Sequence, residues 1–79
     1  KIKMIKVYST PFCPYCVTLK DYLRKKKVAF SDVDVSENEK ERDEMVELSG
    51  QIGVPVINID GKIIVGFDKA EIDATLGLK

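Results

Sequence analysis

The stretch "STPFCPYCVTLKDYL", residues 9–23, carries both cysteines of the chain, Cys13 and Cys16, at the point where an extended segment gives way to a helix. Upstream, "IKMIKVY" (residues 2–8) alternates apolar and charged residues and is rich in β-branched side chains, the pattern of a strand. The "TP" at residues 10–11 breaks that run, and from Pro14 the period changes. Cys16, Leu19 and Leu23 fall at i, i+3 and i+7, one apolar stripe of a helix, with Lys20, Lys25, Lys26 and Lys27 placed mostly on the solvent side. Pro14 suits a first helical turn, where its missing N–H has no partner to lose. The lysines gather at the far end, where the helix dipole favours cations, which reads as dipole matching rather than a nucleic-acid patch.

The rest of the chain alternates in the same way. "VAFSDVDV" (residues 28–35) predicts a second strand with Phe30, Val33 and Val35 as its apolar positions. "SENE" (residues 36–39) has the S-x-x-E form of a capping box and opens a second helix to about Ser49, with Gly50 as its stop. "VPVINID" (54–60) and "KIIVG" (62–66) flank Asp60-Gly61, a hairpin signal that makes them an antiparallel pair. "FDKAEI" (67–72) starts a last helix, with Asp68 as cap, Glu71 reaching back to it, and Phe67 stapled to Ile72. The order is β-α-β-α-β-β-α in a single domain spanning residues 1–79. A helical crossover makes the first two strands parallel and right-handed, so the expectation is an α/β fold: a four-stranded mixed sheet with helices on both faces.

Bulk properties exclude several classes. At 79 residues the chain holds one core, and a chain of this length buries roughly 60–65% of its unfolded surface. Thirteen basic and thirteen acidic side chains cancel, so no overall field draws nucleic acid or an anionic membrane. No apolar run approaches the ~20 residues needed to cross a bilayer, and "KIKMIKVY" lacks the continuous apolar core of a signal peptide. A cytoplasmic monomer is expected, with Met4 a conceivable natural start. The absence of histidine removes Ser-His and Cys-His catalysis and every imidazole ligand. Two cysteines three residues apart close too short a loop to staple the fold effectively.

Their position gives them chemistry instead. At the mouth of a helix, unpaired N–H groups and the positive end of the dipole stabilise an anion, and a thiolate is such an anion. Cysteines so placed ionise below the usual ~8.5, which predicts a nucleophilic Cys13. Cys16 lies one turn deeper, where the end effect fades and burial begins, so it resolves what Cys13 captures. Cβ atoms three residues apart on a helix lie about 5–6 Å apart, close to the separation a disulfide spans. A zinc or iron–sulfur module remains as an alternative of another class; it needs two chains or external thiols, because one C-x-x-C supplies two of the four ligands required.

With "CPYC" on a strand-to-helix turn and "GVPVI" (residues 53–57) before a hairpin, the chain resembles a glutaredoxin over essentially its whole length. Thioredoxin itself is a poorer match, since Phe12 rather than tryptophan precedes Cys13 and the chain has no tryptophan. The resemblance implies the thioredoxin-like fold and a glutathione-dependent thiol–disulfide oxidoreductase acting on protein disulfides or glutathione mixed disulfides. Glutathione is then substrate or reductant, with no bound cofactor and no metal. It further implies that Pro55 is a cis-proline facing the cysteines and that Val54 offers its backbone to a peptide-like thiol. Tyr15, Gln51, Gly66, Phe67 and Asp68 complete a glutathione groove, Asp68 meeting the glutamyl ammonium. Two positions depart from the pattern: Thr10 stands where such proteins commonly have lysine, and Val65 where they have the first of two glycines. Both lean towards redoxins that take electrons from a thioredoxin reductase and pass them to ribonucleotide reductase or similar targets.

Overall fold

The computed structural model describes residues 4–78 and contains β1 (Ile5–Ser9), α1 (Pro14–Lys25), β2 (Ser31–Asp34), α2 (Glu39–Ser49), β3 (Val56–Ile59), β4 (Lys62–Val65) and α3 (Lys69–Leu76). The sheet order is β2-β1-β3-β4, with β1 parallel to β2 and antiparallel to β3, and β3 antiparallel to β4. This is the mixed sheet and the thioredoxin-like arrangement anticipated above. The strand expected to begin at residue 2 starts at Ile5; its first two positions lie outside the described residues.

Side-chain alternation along β1 divides the core. Ile5 and Val7 point to one face and pack with Leu19 and Leu23 of α1, Ile57, Ile59 and Ile64 of the hairpin, and Ile72 of α3. Tyr8 points to the other face and packs with Val35, Met45 and Val56 under α2. Because successive strand residues face opposite ways, β1 must be apolar on both faces, and apart from Lys6 it is buried throughout. Tyr8, Leu19, Leu23, Met45, Ile57 and Ile72 have no exposed surface. Burial of each such side chain contributes about 1.5–3 kcal/mol.

Three local expectations are corrected. First, β2 is shorter than residues 28–35. Lys27 ends α1 at φ +60, the Val28 N–H donates to the Leu23 carbonyl, and residues 28–30 are spent crossing back to the sheet edge. Second, the cap of α2 is Asn38, whose Oδ1 accepts from the Glu41 N–H at 3.1 Å. Ser36 instead turns to Asp34, which accepts from both its N–H and its hydroxyl. Third, Asp68 does cap α3, accepting from the Glu71 N–H at 3.2 Å, but the Glu71 carboxylate pairs with Lys62 across the hairpin at 2.6 Å. Gly50 closes α2 in the left-handed region, and Asp60 and Gly61 both take positive φ in the hairpin, as I′-type turns require.

Candidate active site

Cys13 is the N-cap of α1. Its backbone is extended (φ −104, ψ 110), Pro14 opens the helix, and its sulfur accepts a hydrogen bond from the Cys16 N–H at 3.1 Å. The cysteine side chain thus stands where a serine or aspartate oxygen ordinarily sits, facing the otherwise unpaired donors of the first turn. Negative charge on this sulfur is stabilised by a directed N–H and by the helix dipole together. Cys13 is half-buried, so a substrate sulfur can reach it; Cys16, one turn deeper, has no exposed surface. Burial is the main reason that the Cys16 thiol is pushed up to about 12, with its hydrogen bond to Cys13 adding to the effect. The backbone of Thr10 and the charge of Lys20 pull the other way. Both cysteines are free thiols here.

The opposing wall is the loop before β3. The Val54–Pro55 peptide is cis, and the Cys13 thiol points at the Val54 carbonyl oxygen at 3.8 Å. Pro55 is buried, and its carbonyl accepts from the Gly66 N–H at 2.7 Å, which ties the start of the α3 segment to this loop. Gly66 holds φ +80, a conformation that a Cβ disfavours. Cys13, Val54, Pro55 and Gly66 therefore form one continuous wall, built from three separate parts of the chain.

The remaining residues implied by the resemblance are placed less uniformly. Tyr15 is 67% exposed beside the sulfurs, and Asp68 is exposed at the α3 cap. The Phe67 ring is half-buried edge-on to Tyr22 at 5.7 Å, so what it presents to the wall is backbone. On its far side a groove of about 360 Å³ runs between α1 and α3. Gln51 is turned into its own loop: its Oε1 accepts from the Gly53 N–H at 2.7 Å, and its Nε2 donates to the Gly53 carbonyl at 3.0 Å and to Ser49 Oγ at 3.2 Å. Its amide braces the approach to Val54 and is already satisfied.

Two features were not read from the sequence. Phe12 and Ile52 are 87% and 68% exposed; with Tyr15 they set apolar surface on the segments that carry Cys13 and Val54. An aromatic before Cys13 and an isoleucine in a glycine-flanked loop were the available signals. The second feature is Lys20, expected on the solvent side. Its ammonium instead folds back to donate to Asp32 Oδ2 at 3.0 Å and to Ser9 Oγ at 3.3 Å, while Ser9 donates to Asp32 Oδ1 at 3.0 Å.

Comparison with known proteins agrees with this geometry. The family model described as Glutaredoxin matches residues 5–64. The chain is 64% identical over 70 residues to an uncharacterised glutaredoxin-like 8.6 kDa protein in the rubredoxin operon of Clostridium pasteurianum, covering 89% of this chain and 93% of that one. It is 37% identical over 75 residues to glutaredoxin 3 of Escherichia coli K12, covering 94% and 90%. Among solved structures, a single-site mutant of the thioredoxin-like protein BC3987 superposes with a TM-score of 0.91 at 30% identity, over 98% of this chain and 99% of that one.

Proposed function

This chain belongs to the glutaredoxin family, and from that premise we propose that it is a cytoplasmic, glutathione-dependent thiol–disulfide oxidoreductase. The observation that carries the reading is the inequality of its two sulfurs: Cys13 accessible and capping a helix, Cys16 buried directly behind it. The Cys13 thiolate attacks a disulfide sulfur of the substrate. A bond forms to Cys13, the substrate S–S bond breaks, and the departing thiolate takes up a proton. The Cys16 thiol then loses its proton and attacks Cys13; the Cys13–Cys16 bond forms and the second substrate thiol leaves. Two glutathione thiols restore the dithiol, the first forming a mixed disulfide on Cys13 and the second releasing oxidised glutathione. The raised Cys16 thiol keeps the buried sulfur from competing for the first attack.

In this reading the cysteinyl part of glutathione lies along Val54 and Pro55 with Tyr15 beside it. Its glutamyl end meets the backbone of Gly66 and Phe67 and the carboxylate of Asp68. Gln51 acts through the loop that it braces. Reduced glutathione with glutathione reductase and NADPH is expected to sustain turnover on a mixed-disulfide substrate, read as NADPH consumption. Turnover with thioredoxin reductase alone, and none with glutathione, would replace the glutathione assignment.

That outcome corresponds to a second reading, a redoxin served by a flavoprotein reductase, and three observations favour it. The Gln51 amide is occupied, Thr10 brings no charge, and the exposed side chains flanking the cysteines are the apolar Phe12, Tyr15 and Ile52. A metal-bridging role is tested by elemental analysis and a visible spectrum of anaerobically purified protein. Stoichiometric zinc or a coloured cluster would support that role against both redox readings.

A further inference from the structure

The first turn of α1 serves Cys13, but the step that releases the second substrate thiol belongs to Cys16, which has to become a thiolate inside the core. Burial opposes that charge, so some other group must favour it. Lys20 is a cation that favours the Cys16 thiolate. It lies four residues on, hence one turn along the same side of α1, and its side chain keeps 15% of its surface exposed. Its ammonium is held at its tip by Asp32 from β2 and by the buried Ser9 hydroxyl from the end of β1. Next to Ser9, the backbone of Thr10 also favours the Cys16 thiolate. Of the charged and titratable groups that bear on Cys16, Cys13 opposes its thiolate and Lys20 of α1 favours it, with Asp32 acting through Lys20. The hairpin and α3 contribute Ile57, Ile59, Ile64 and Ile72 to this face of the core.

We propose that Lys20, held in place by Asp32 and Ser9, is the electrostatic partner of the resolving cysteine, lowering the cost of the Cys16 thiolate during release of the mixed disulfide. The proposal rests on the dithiol mechanism described above. In the step concerned, the Cys16 thiol gives its proton to solvent and its sulfur attacks Cys13. The Cys13–Cys16 bond forms as the bond from Cys13 to the substrate sulfur breaks, and the departing thiolate carries away the electron pair and is protonated. Lys20 remains protonated throughout and acts only by its charge. Lys20 is mostly buried, and at the edge of a buried sulfur a cation held within a helical turn acts through a medium less polar than water. Asp32 holds that cation with an oxygen that an asparagine amide also supplies, while its charge offsets part of the cation's field; loss of the Asp32 charge alone therefore acts on Cys16 in the direction opposite to loss of Lys20.

That opposition makes the idea testable with an aromatic disulfide such as Ellman's reagent, which releases one coloured thiolate when Cys13 attacks and a second when Cys16 resolves. Stopped-flow absorbance of the reduced protein separates the two phases. Lys20→Met is expected to slow the second phase about tenfold at pH 7 and to shift its pH profile upward by about one unit, the equivalent of that factor. The first phase should stay within about twofold, and Lys20→Arg should restore the second to within about threefold. Asp32→Asn is expected to leave the second phase unchanged or to speed it up to about threefold, since it removes the opposing charge. If Lys20→Met and Asp32→Asn slow the second phase alike, the cluster is merely a tie between α1 and β2 and the proposal fails. An unaltered second phase in Lys20→Met overturns it as well. Should Lys20→Met not fold, a second phase slowed in Asp32→Asn with its first phase intact still overturns the proposal. Absence of any second phase in the unsubstituted protein would count against the dithiol mechanism itself, a failure distinct from that of Lys20.

Discussion

Tyr8 and Ser9 are neighbours on β1, and each sends a buried hydroxyl to one side of the sheet, where an acid and a lysine meet it. On the α2 side the Tyr8 hydroxyl donates to Glu44 Oε1 at 2.6 Å, and Lys6 pairs with Glu44 at 2.9 Å and with Glu41 at 3.0 Å. Opposite, Ser9 donates to Asp32 and both are met by Lys20. The two clusters share a plan and differ in what lies beside them. The Tyr8 cluster adjoins the packed residues Val35, Met45 and Val56; the Ser9 cluster adjoins a sulfur that must change its charge. One plan therefore serves two ends: where no neighbour reacts, the charges hold a helix to the sheet, and beside Cys16 they bear on a reaction.

The bluntest way to sharpen the contrast leaves both clusters intact. Cys13→Ser is expected to abolish exchange outright, while Cys16→Ser stops dithiol turnover but keeps exchange with single glutathione mixed disulfides; both should unfold near the parent temperature. Loss of both activities in Cys16→Ser would contradict the division of labour. Next in size is Tyr8→Phe, which removes the buried tyrosine's hydroxyl bond to the half-exposed Glu44 carboxylate. A loss of about 1–2 kcal/mol in denaturant unfolding is expected, with both phases of thiol release unchanged. A slowed second phase would break the distinction between the clusters.

The smallest effect is in pH. The Tyr8 hydroxyl first, then the Lys6 ammonium, hold Glu44 at about 2, below its ordinary range. A depressed carboxylate contributes stability that is present above its unfolded value of about 4.3 and is lost as pH falls through about 2. Because the Glu44 side chain is 47% exposed, solvent screening reduces this to about 1 kcal/mol or less. Burial first, and the bond to Glu44 second, raise Tyr8 to about 12. That contribution is complete below about pH 10 and lost as pH rises through about 12. Urea midpoints across pH 2–5 should therefore fall less in Tyr8→Phe than in the parent; equal falls would assign the acid sensitivity elsewhere.

The two clusters also mark how far the sequence could be read. Local signals carried the C-x-x-C turn, the stripe Cys16–Leu19–Leu23, the Asp60-Gly61 hairpin and the Asp68 cap, because each depends on residues within one turn of one another. Resemblance supplied the cis Val54–Pro55 peptide, which no local pattern contains, and beside it the Val54 carbonyl meets Cys13. Lys20 escaped because its partners arrive through the parallel pairing of β1 with β2, where Val7 lies opposite Asp32 and Ser9 opposite Asp34. A helical period alone assigns such a lysine to solvent. Ser36 and Asn38 compete for the same cap within three residues, and the contest is decided by Asp34, whose turn claims Ser36 first. Gln51 had the right chemistry for a groove, yet Gly53 lies close enough to engage both ends of its amide.

Because the sulfur of Cys13 itself caps α1, converting it to a disulfide changes the acceptor at the helix start. Oxidation and unfolding are then two sides of one thermodynamic square, and whatever the reduced fold gains from that cap must reappear as a more oxidising couple. At about 30 mV for each 1.4 kcal/mol, calorimetry of the two redox states would forecast the voltage at which this dithiol delivers its electrons.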